Sequence, residues 1–453
     1  MRREPEGAPR RGRSPADAGE RSWLAVLALS RAFVTLIFMT YAASLPTLTG
    51  EWAMTATQAG LVQTCFSAGF AISLFITSWL SDHIGARRMF LWFCWLGAAA
   101  ALAFALFARS FEQALWLYGL VGFTQGGSYT PAIMLVAQRL PPARRGAGVG
   151  WVLAGMSAGY VGSISLAQGL IATFDYRAAF VVCALGTIAG AIFGTIAASG
   201  VANRIAGPPP QASRGAMLKD RRSLLLTLGY MGHCWELFGM WAWAPAFLIA
   251  SLGNRFTLGA VGLGIAIAMA LHLSAFVASF TMGQASDRYG RRAVLLAVAA
   301  IGALCSFGFG WSGELPALVL LGFAALYGFA ALGDSSVLST AMSEAVPAAY
   351  LGRALAIRSI LGIGIGAAAP AAFGAVLDLS APGHGWGWAF VLMGIGGVVA
   401  TVCAALLPAA GAPDQEGSTA GPAWSTGNGG QGDGRIRPLP ADPSHRCRSA
   451  LTL

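Results

Sequence analysis

Few residues in this 453-residue chain can do chemistry, since only 11% are Asp, Glu, Lys or Arg. Six ionisable side chains stand inside long apolar stretches: Arg31, His233, Glu236, His272, Asp334 and Arg358. Arg31 is a permanent cation and suits an anionic solute. Glu236 can take up and release a proton, and His233, three residues earlier, shares its helical face. Asp334 is a second acid of the same kind. Gln125 and Tyr129 supply hydrogen-bonding groups, and Tyr160, Trp241 and Trp243 supply aromatic surface for a solute. No nucleophile–base pair has a defined spacing and no GxxxxGK[ST] phosphate loop is present, so neither an enzyme nor an ATP-driven pump is expected. The seven cysteines show no paired spacing, so no metal site and no cofactor are expected.

These residues have to be positioned by membrane spans. Hydrophobic residues make up 56% of the chain. Twelve apolar stretches, each about 20 residues or more, run from Trp23–Pro46 to Trp388–Leu407. Backbone polar groups in hydrocarbon need internal partners, so the spans are helices. The 60 glycines fit close helix packing in a membrane. Arg31 falls in the first span, about 12 Å from its start; Glu236 falls in the seventh (Ser223–Ala250), about 20 Å in, near the middle of a core about 30 Å thick. Asp334 lies in the tenth span (Pro316–Met342), about 12 Å from the same surface as Arg31. Charges at such depth face a cavity or a partner. Arg358, four residues into the eleventh span (Ala354–Leu377), reads as a snorkelling cation, with a pair to Asp334 as the alternative. His272, in the eighth span (Leu258–Met282), reads as a packing residue.

Basic residues mark one side of the membrane. Arg87, Arg88, Arg139, Arg144, Arg145, Arg288, Arg291, Arg292 and Arg353 fall in one set of short loops, with more in the tails and the centre; the other set has Arg109, Arg177 and Arg255. This asymmetry places both termini in the cytoplasm of a multi-pass protein of the plasma (inner) membrane. It also explains the net charge of +10 without nucleic acid. Residues 1–22 and 409–453 read as disordered cytoplasmic tails, and 201–222, with its Pro208-Pro209-Pro210 run, as a linker between units 23–200 and 223–408.

A loop motif occurs twice. SWLSDHIGAR, from Ser78 to Arg87, is followed by Arg88; GQASDRYGRR runs from Gly283 to Arg292. Asp82 and Asp287, Gly85 and Gly290, and Arg87 and Arg292 share one separation of 205 residues. Gly122-Phe123 with Gly127 recurs as Gly328-Phe329 with Gly333, 206 residues on. Such duplication inside an apolar chain is the usual build of secondary transporters. Locally, the glycines permit a tight reversal between helices, and the acids sit where helix starts favour them.

The paired loops, the twelve spans and the long central linker resemble the major facilitator superfamily, from about Trp23 to Leu407. The resemblance implies an all-α polytopic membrane protein with twelve transmembrane helices in two pseudo-symmetric six-helix bundles. The first, fourth, seventh and tenth spans would line a central cavity. The resemblance also implies a gating role for Asp82, Gly85, Arg87 and Arg88 and for Asp287, Arg288, Gly290, Arg291 and Arg292. The two acids would approach the cytoplasmic starts of the eleventh and fifth spans. Two signatures common in proton-coupled members and antiporters are altered: Gly122 stands where an arginine is frequent before Gln125-Gly126, and Tyr160 where a proline follows Gly159. The expectation is a monomeric secondary transporter in the lipid bilayer, moving a small organic anion by alternating access with protons as coupling ion. Multidrug efflux is the alternative, and a non-transporting sensor the third reading.

Overall fold

The structure, a computed structural model, describes residues 15–205, 220–255, 257, 259–346 and 348–408, and no strand occurs among them. The first span is broken. Helix α1 (Pro15–Val34) and helix α2 (Thr40–Glu51) are joined through a 3-10 turn at Thr35–Ile37. At the break the Met39 N–H donates to Ser163 Oγ at 3.1 Å, and Thr40 Oγ1 lies 3.0 Å from the same oxygen. A side chain of another helix thus takes up backbone polarity that the helix itself leaves free.

Five helices complete the first bundle: α3 (Ala56–Ile84), α4 (Ala86–Phe107), α5 (Phe111–Arg139), α6 (Pro142–Thr173) and α7 (Tyr176–Ser199). The second bundle holds α8 (Arg221–Leu252), α9 (Gly259–Ala268), α10 (Ser274–Tyr289), α11 (Arg291–Phe309), α12 (Ala317–Ala345), α13 (Ala348–Leu379) and α14 (Gly385–Leu406). Helices α9 and α10 are one span with a π-helical turn, Met269–Leu273, in its middle. Eleven helical segments are long and apolar enough to cross a membrane. The twelfth is α5, long enough at 29 residues but diluted by Gln113, Thr124, Gln125 and Ser128.

Two expected boundaries shift. The amino-terminal tail was expected to run to residue 22, but α1 already starts at Pro15. Proline suits a first helical turn, and Glu20 meets Arg144 at 3.2 Å. Helix α8 starts at Arg221 because the Asp220 carboxylate caps it, accepting from the Ser223 N–H at 2.8 Å. Residues 1–14 and 409–453 of the tails and 206–219 of the linker lie outside the described residues.

Within the first bundle α3 packs along α5, and α1 along α6 and α7; in the second, α8 packs along α13 and α14, and α11 along α14. Across the bundles α3 meets α13, α6 meets α9 and α2 meets α8. The second span therefore pairs with the eleventh and the fifth with the eighth, as a two-fold relation between halves requires.

Both motif loops lie on one face. Gly85 ends α3 there with φ 97°, and Gly290 ends α10 with φ 88°, a conformation open to glycine. The Asp287 loop reaches the end of α12, where Arg291 meets Glu344 at 2.9 Å. Helix α13 follows α12, so its far end lies on the opposite face, and there it meets the start of α3.

That far face is sealed. The Asp378 carboxylate accepts from the N–H groups of Ala56 at 2.9 Å and Thr57 at 2.7 Å, and from the Thr57 hydroxyl at 2.6 Å. An acid from one bundle thus caps a helix of the other. A Cβ at Gly374 would come within 2.1 Å of the Ala56 carbonyl oxygen, and one at Gly60 within 2.2 Å of that of Pro370. Among the described residues, the hydrogen bonds between bundles are those of Asp378 and one from the Ala371 N–H to Thr64 Oγ1 at 3.2 Å. Among the described residues, both of these lie on the far face.

Candidate substrate site between the bundles

Arg31, on α1, is 1% exposed. One nitrogen, Nη1, donates to Ser128 Oγ at 2.8 Å, while Nε has no partner. No carboxylate pairs with it among the described residues; its electrostatic neighbours are Cys94, Tyr129 and Tyr160. Ser128 and Tyr129 come from α5, and so does Gln125. Gln125 Nε2 donates to the Val34 carbonyl at 2.7 Å, and its Oε1 has no partner. The broken first span creates this acceptor, since the Val34 carbonyl lies where α1 ends. Arg31, Gln125 and Tyr129 are thus brought together as expected from their spans.

Aromatic rings carry the site across to the second bundle. Phe38 and Tyr160 lie 4.9 Å apart, and Tyr160 lies 6.1 Å from Trp241 and 5.3 Å from His272. Trp241 Nε1 and His272 Nε2 are buried without hydrogen-bond partners. His272 sits on the π-helical turn, a distortion that re-aims side chains and often marks functional sites. Trp243 does not join this cluster. Its Nε1 donates to the Pro370 carbonyl at 2.9 Å and its ring stacks on Phe373.

The acids of the second bundle lie elsewhere. Glu236 was expected to face the central cavity beside His233. Its carboxylate instead accepts from Ser306 Oγ at 2.6 Å, and Ser306 lies 2.7 Å from the Tyr327 hydroxyl. Gly302 on α11 and Gly397 on α14 leave room for it; an added Cβ would stand 3.2 Å and 2.8 Å from its oxygens. Helices α11 and α14 pack against helices of their own bundle, so this seam points away from the bundle interface. His233 Nδ1 is 2.7 Å from Asp334 Oδ1. Asp334 Oδ1 makes no hydrogen bond that meets the usual geometry. The alternative pair of Asp334 with Arg358 does not form. A void of about 10 Å³, roughly one water in size, borders Asp334, Leu225, Leu226 and Leu407.

Sequence reasoning took Arg358 for a snorkelling cation, but it is buried. Helix α13 starts at Ala348, so Arg358 is ten residues in, about 15 Å along the helix, rather than four. It is 5% exposed. Its guanidinium lies over the Tyr230 ring at 4.2 Å, Nη2 donates to Ser339 Oγ at 3.0 Å, and Nε and Nη1 have no partners.

The motif loops hold within their own halves. Asp82 is exposed and pairs with no cation among the described residues. Asn203 braces its loop, donating to the Ile84 carbonyl at 2.8 Å and accepting from the Arg88 N–H at 3.3 Å; Arg87 Nε is buried unpaired. Asp287 pairs with Arg291 four residues on, at 2.5 Å. Arg292 donates to the Ala405 carbonyl at 2.8 Å, and Arg288 lies over Tyr289. Neither acid reaches the opposite bundle among the described residues.

Two helical bundles of like orientation, sealed at one face and enclosing an uncompensated cation, have the build of a polytopic membrane transporter. The family model described as Major Facilitator Superfamily matches residues 27–276 and 257–444, and the chain belongs to that superfamily. It is 26% identical over 352 residues to a probable 4-methylmuconolactone transporter of Cupriavidus pinatubonensis, covering 71% of this chain and 78% of that protein. It is 27% identical over 422 residues to the cis,cis-muconate transport protein of Acinetobacter baylyi, covering 86% and 95%. A solved bacterial homologue of the human lysosomal transporter Spinster, inward-facing and occupied, shares the fold with a TM-score of 0.68 at 16% identity, over 87% of this chain and 97% of that one.

Proposed function

We propose that the protein is a secondary active transporter of small organic acids, driven by protons and working by alternating access. The observation that carries this reading is Arg31. A buried guanidinium without a counter-ion is costly, and an anionic solute supplies what the fold omits. The relatives named for 4-methylmuconolactone and cis,cis-muconate support a small organic acid as that solute. Gln125, Tyr129 and Tyr160 contribute polar contacts, and His272 and Trp241 close the site from the second bundle.

The proton side of the mechanism belongs to Glu236, His233 and Asp334, which share the interior of the second bundle. None has Arg or Lys as a partner, so protonation removes the cost of a bare carboxylate. We take the motif face as cytoplasmic, with both termini there and the plasma membrane as host. With the far face held by the Asp378 cap, we take the motif face as the open one. On closing it, Asp82 and Asp287 bind the starts of α13 and α6, and the Asp378 cap opens instead.

The test is uptake into proteoliposomes of purified protein. Radiolabelled cis,cis-muconate and related organic acids should accumulate under an inward proton gradient, and Asp82→Asn and Asp287→Asn should slow exchange while leaving binding intact. Binding of lipophilic cations with no response to organic acids would overturn the reading in favour of multidrug efflux.

A further inference from the structure

The site contains a second cation that the transport reading leaves unexplained. Arg358 is as devoid of carboxylate partners as Arg31, with two of its three nitrogens unpaired. The two arginines come from opposite bundles but are not remote. Tyr129 is an electrostatic neighbour of Arg31 and of Tyr230, and Tyr230 lies under the Arg358 guanidinium. Tyr129 of the first bundle and Tyr230 of the second thus bring the two guanidiniums towards the same seam. Helix α13 is held close to α8 along this stretch, because Gly362 lies against the Tyr230 ring and Gly366 against the Cys234 carbonyl. Burying one unpaired guanidinium is expensive, and here two are buried without a counter-ion. One monoanion would relieve only half of this.

We infer that the preferred solute is a dianion, a small dicarboxylate with one acidic group on Arg31 and the other on Arg358, so that the solute itself ties the two bundles together. This rests on the organic-acid reading above and narrows it. Ser128 and Ser339, each already bonded to one guanidinium, hold the two forks in place. The free edge of each arginine suits a carboxylate, which it can bind through two parallel hydrogen bonds. The Tyr129 and Tyr230 rings between them suit a flat, unsaturated spacer.

Matched pairs of diacid and monomethyl ester, with spacers from two to six carbons and including cis,cis-muconate, decide the matter. Binding would be measured by calorimetry on the detergent-purified chain. The wild type should prefer the best diacid over its own monoester by about tenfold or more. Arg358→Gln should collapse that preference towards unity, and Arg358→Lys, which keeps the charge, should retain part of it. Both variants can be scored for folding by thermal melting, and the lysine form keeps the test decisive if the glutamine form fails to fold. Equal wild-type affinity for diacid and monoester, or an unchanged preference in Arg358→Gln, would overturn the second anchor while leaving Arg31 and organic-acid transport standing. Failure of every acid to bind would remove the organic-acid reading itself.

Discussion

Arg31 and Glu236 are buried charges on the first spans of their respective bundles, and the fold treats them in opposite ways. Around Arg31 the first bundle offers one serine hydroxyl and no acid. Around Glu236 the second bundle builds a complete setting: Ser306 donates to it, Tyr327 backs Ser306, and two glycines clear space. A charge left incomplete at an interface is a binding site waiting for its partner. A charge completed inside a bundle is suited to holding a proton where the solute does not touch it. The difference separates binding from coupling, and each half can be broken without the other.

The largest expected effect is at Arg31. Arg31→Gln should weaken organic-acid binding about a hundredfold without lowering the melting temperature, since it removes an uncompensated charge. Ser128→Asp sharpens the point: an internal counter-ion should abolish binding and raise the melting midpoint by about 2 °C or more. Calorimetry and thermal melting check both, and a destabilised Arg31→Gln that still binds would reverse the assignment.

Glu236→Gln comes next. Glutamine can still accept from Ser306, so the fold and solute counterflow should persist. Accumulation under a one-unit pH gradient should fall from about tenfold to about unity. Accumulation at the wild-type level would move coupling to His233 and Asp334.

Asp378 is a third case, a charge completed by the other bundle's backbone and so completed only while the far face is closed. Asp378→Asn should shift the balance towards the far-face-open state by about fivefold, the worth of one helix cap. The rate of maleimide labelling of Thr64→Cys from the far side reads this directly, and no change in rate would show that the glycine contacts alone seal the face. The smallest effect is expected at Ser306→Ala, about threefold on proton-driven uptake with solute affinity unchanged; a loss of affinity there would put Glu236 back in contact with the solute.

Much of this was legible from residue order. Runs of apolar residues set the spans, because hydrocarbon leaves the backbone no alternative to the helix. The repeat of Asp82 and Gly85 as Asp287 and Gly290 announced the duplication, and the positive φ at both glycines follows from the tight reversal the motif needs. Depth alone singled out Arg31 as the candidate anchor for an anion. Direction was what the order of residues left open. Helix α8 is apolar nearly all round, so no polar stripe shows which way Glu236 points, and only the packing of α11 and α14 turned it away from the interface. His233 shares a helical face with Glu236, yet it found Asp334 on α12 because an acid across a helix boundary has no signature in local spacing. Arg358 became a core cation once α13 was seen to begin at Ala348, and His272 became a site residue once a π-turn aimed it at Tyr160. Spacing along the chain determines which elements form and how deep each residue lies; which side chains meet is decided by how separately formed helices pack, and that is a property of the assembled bundles.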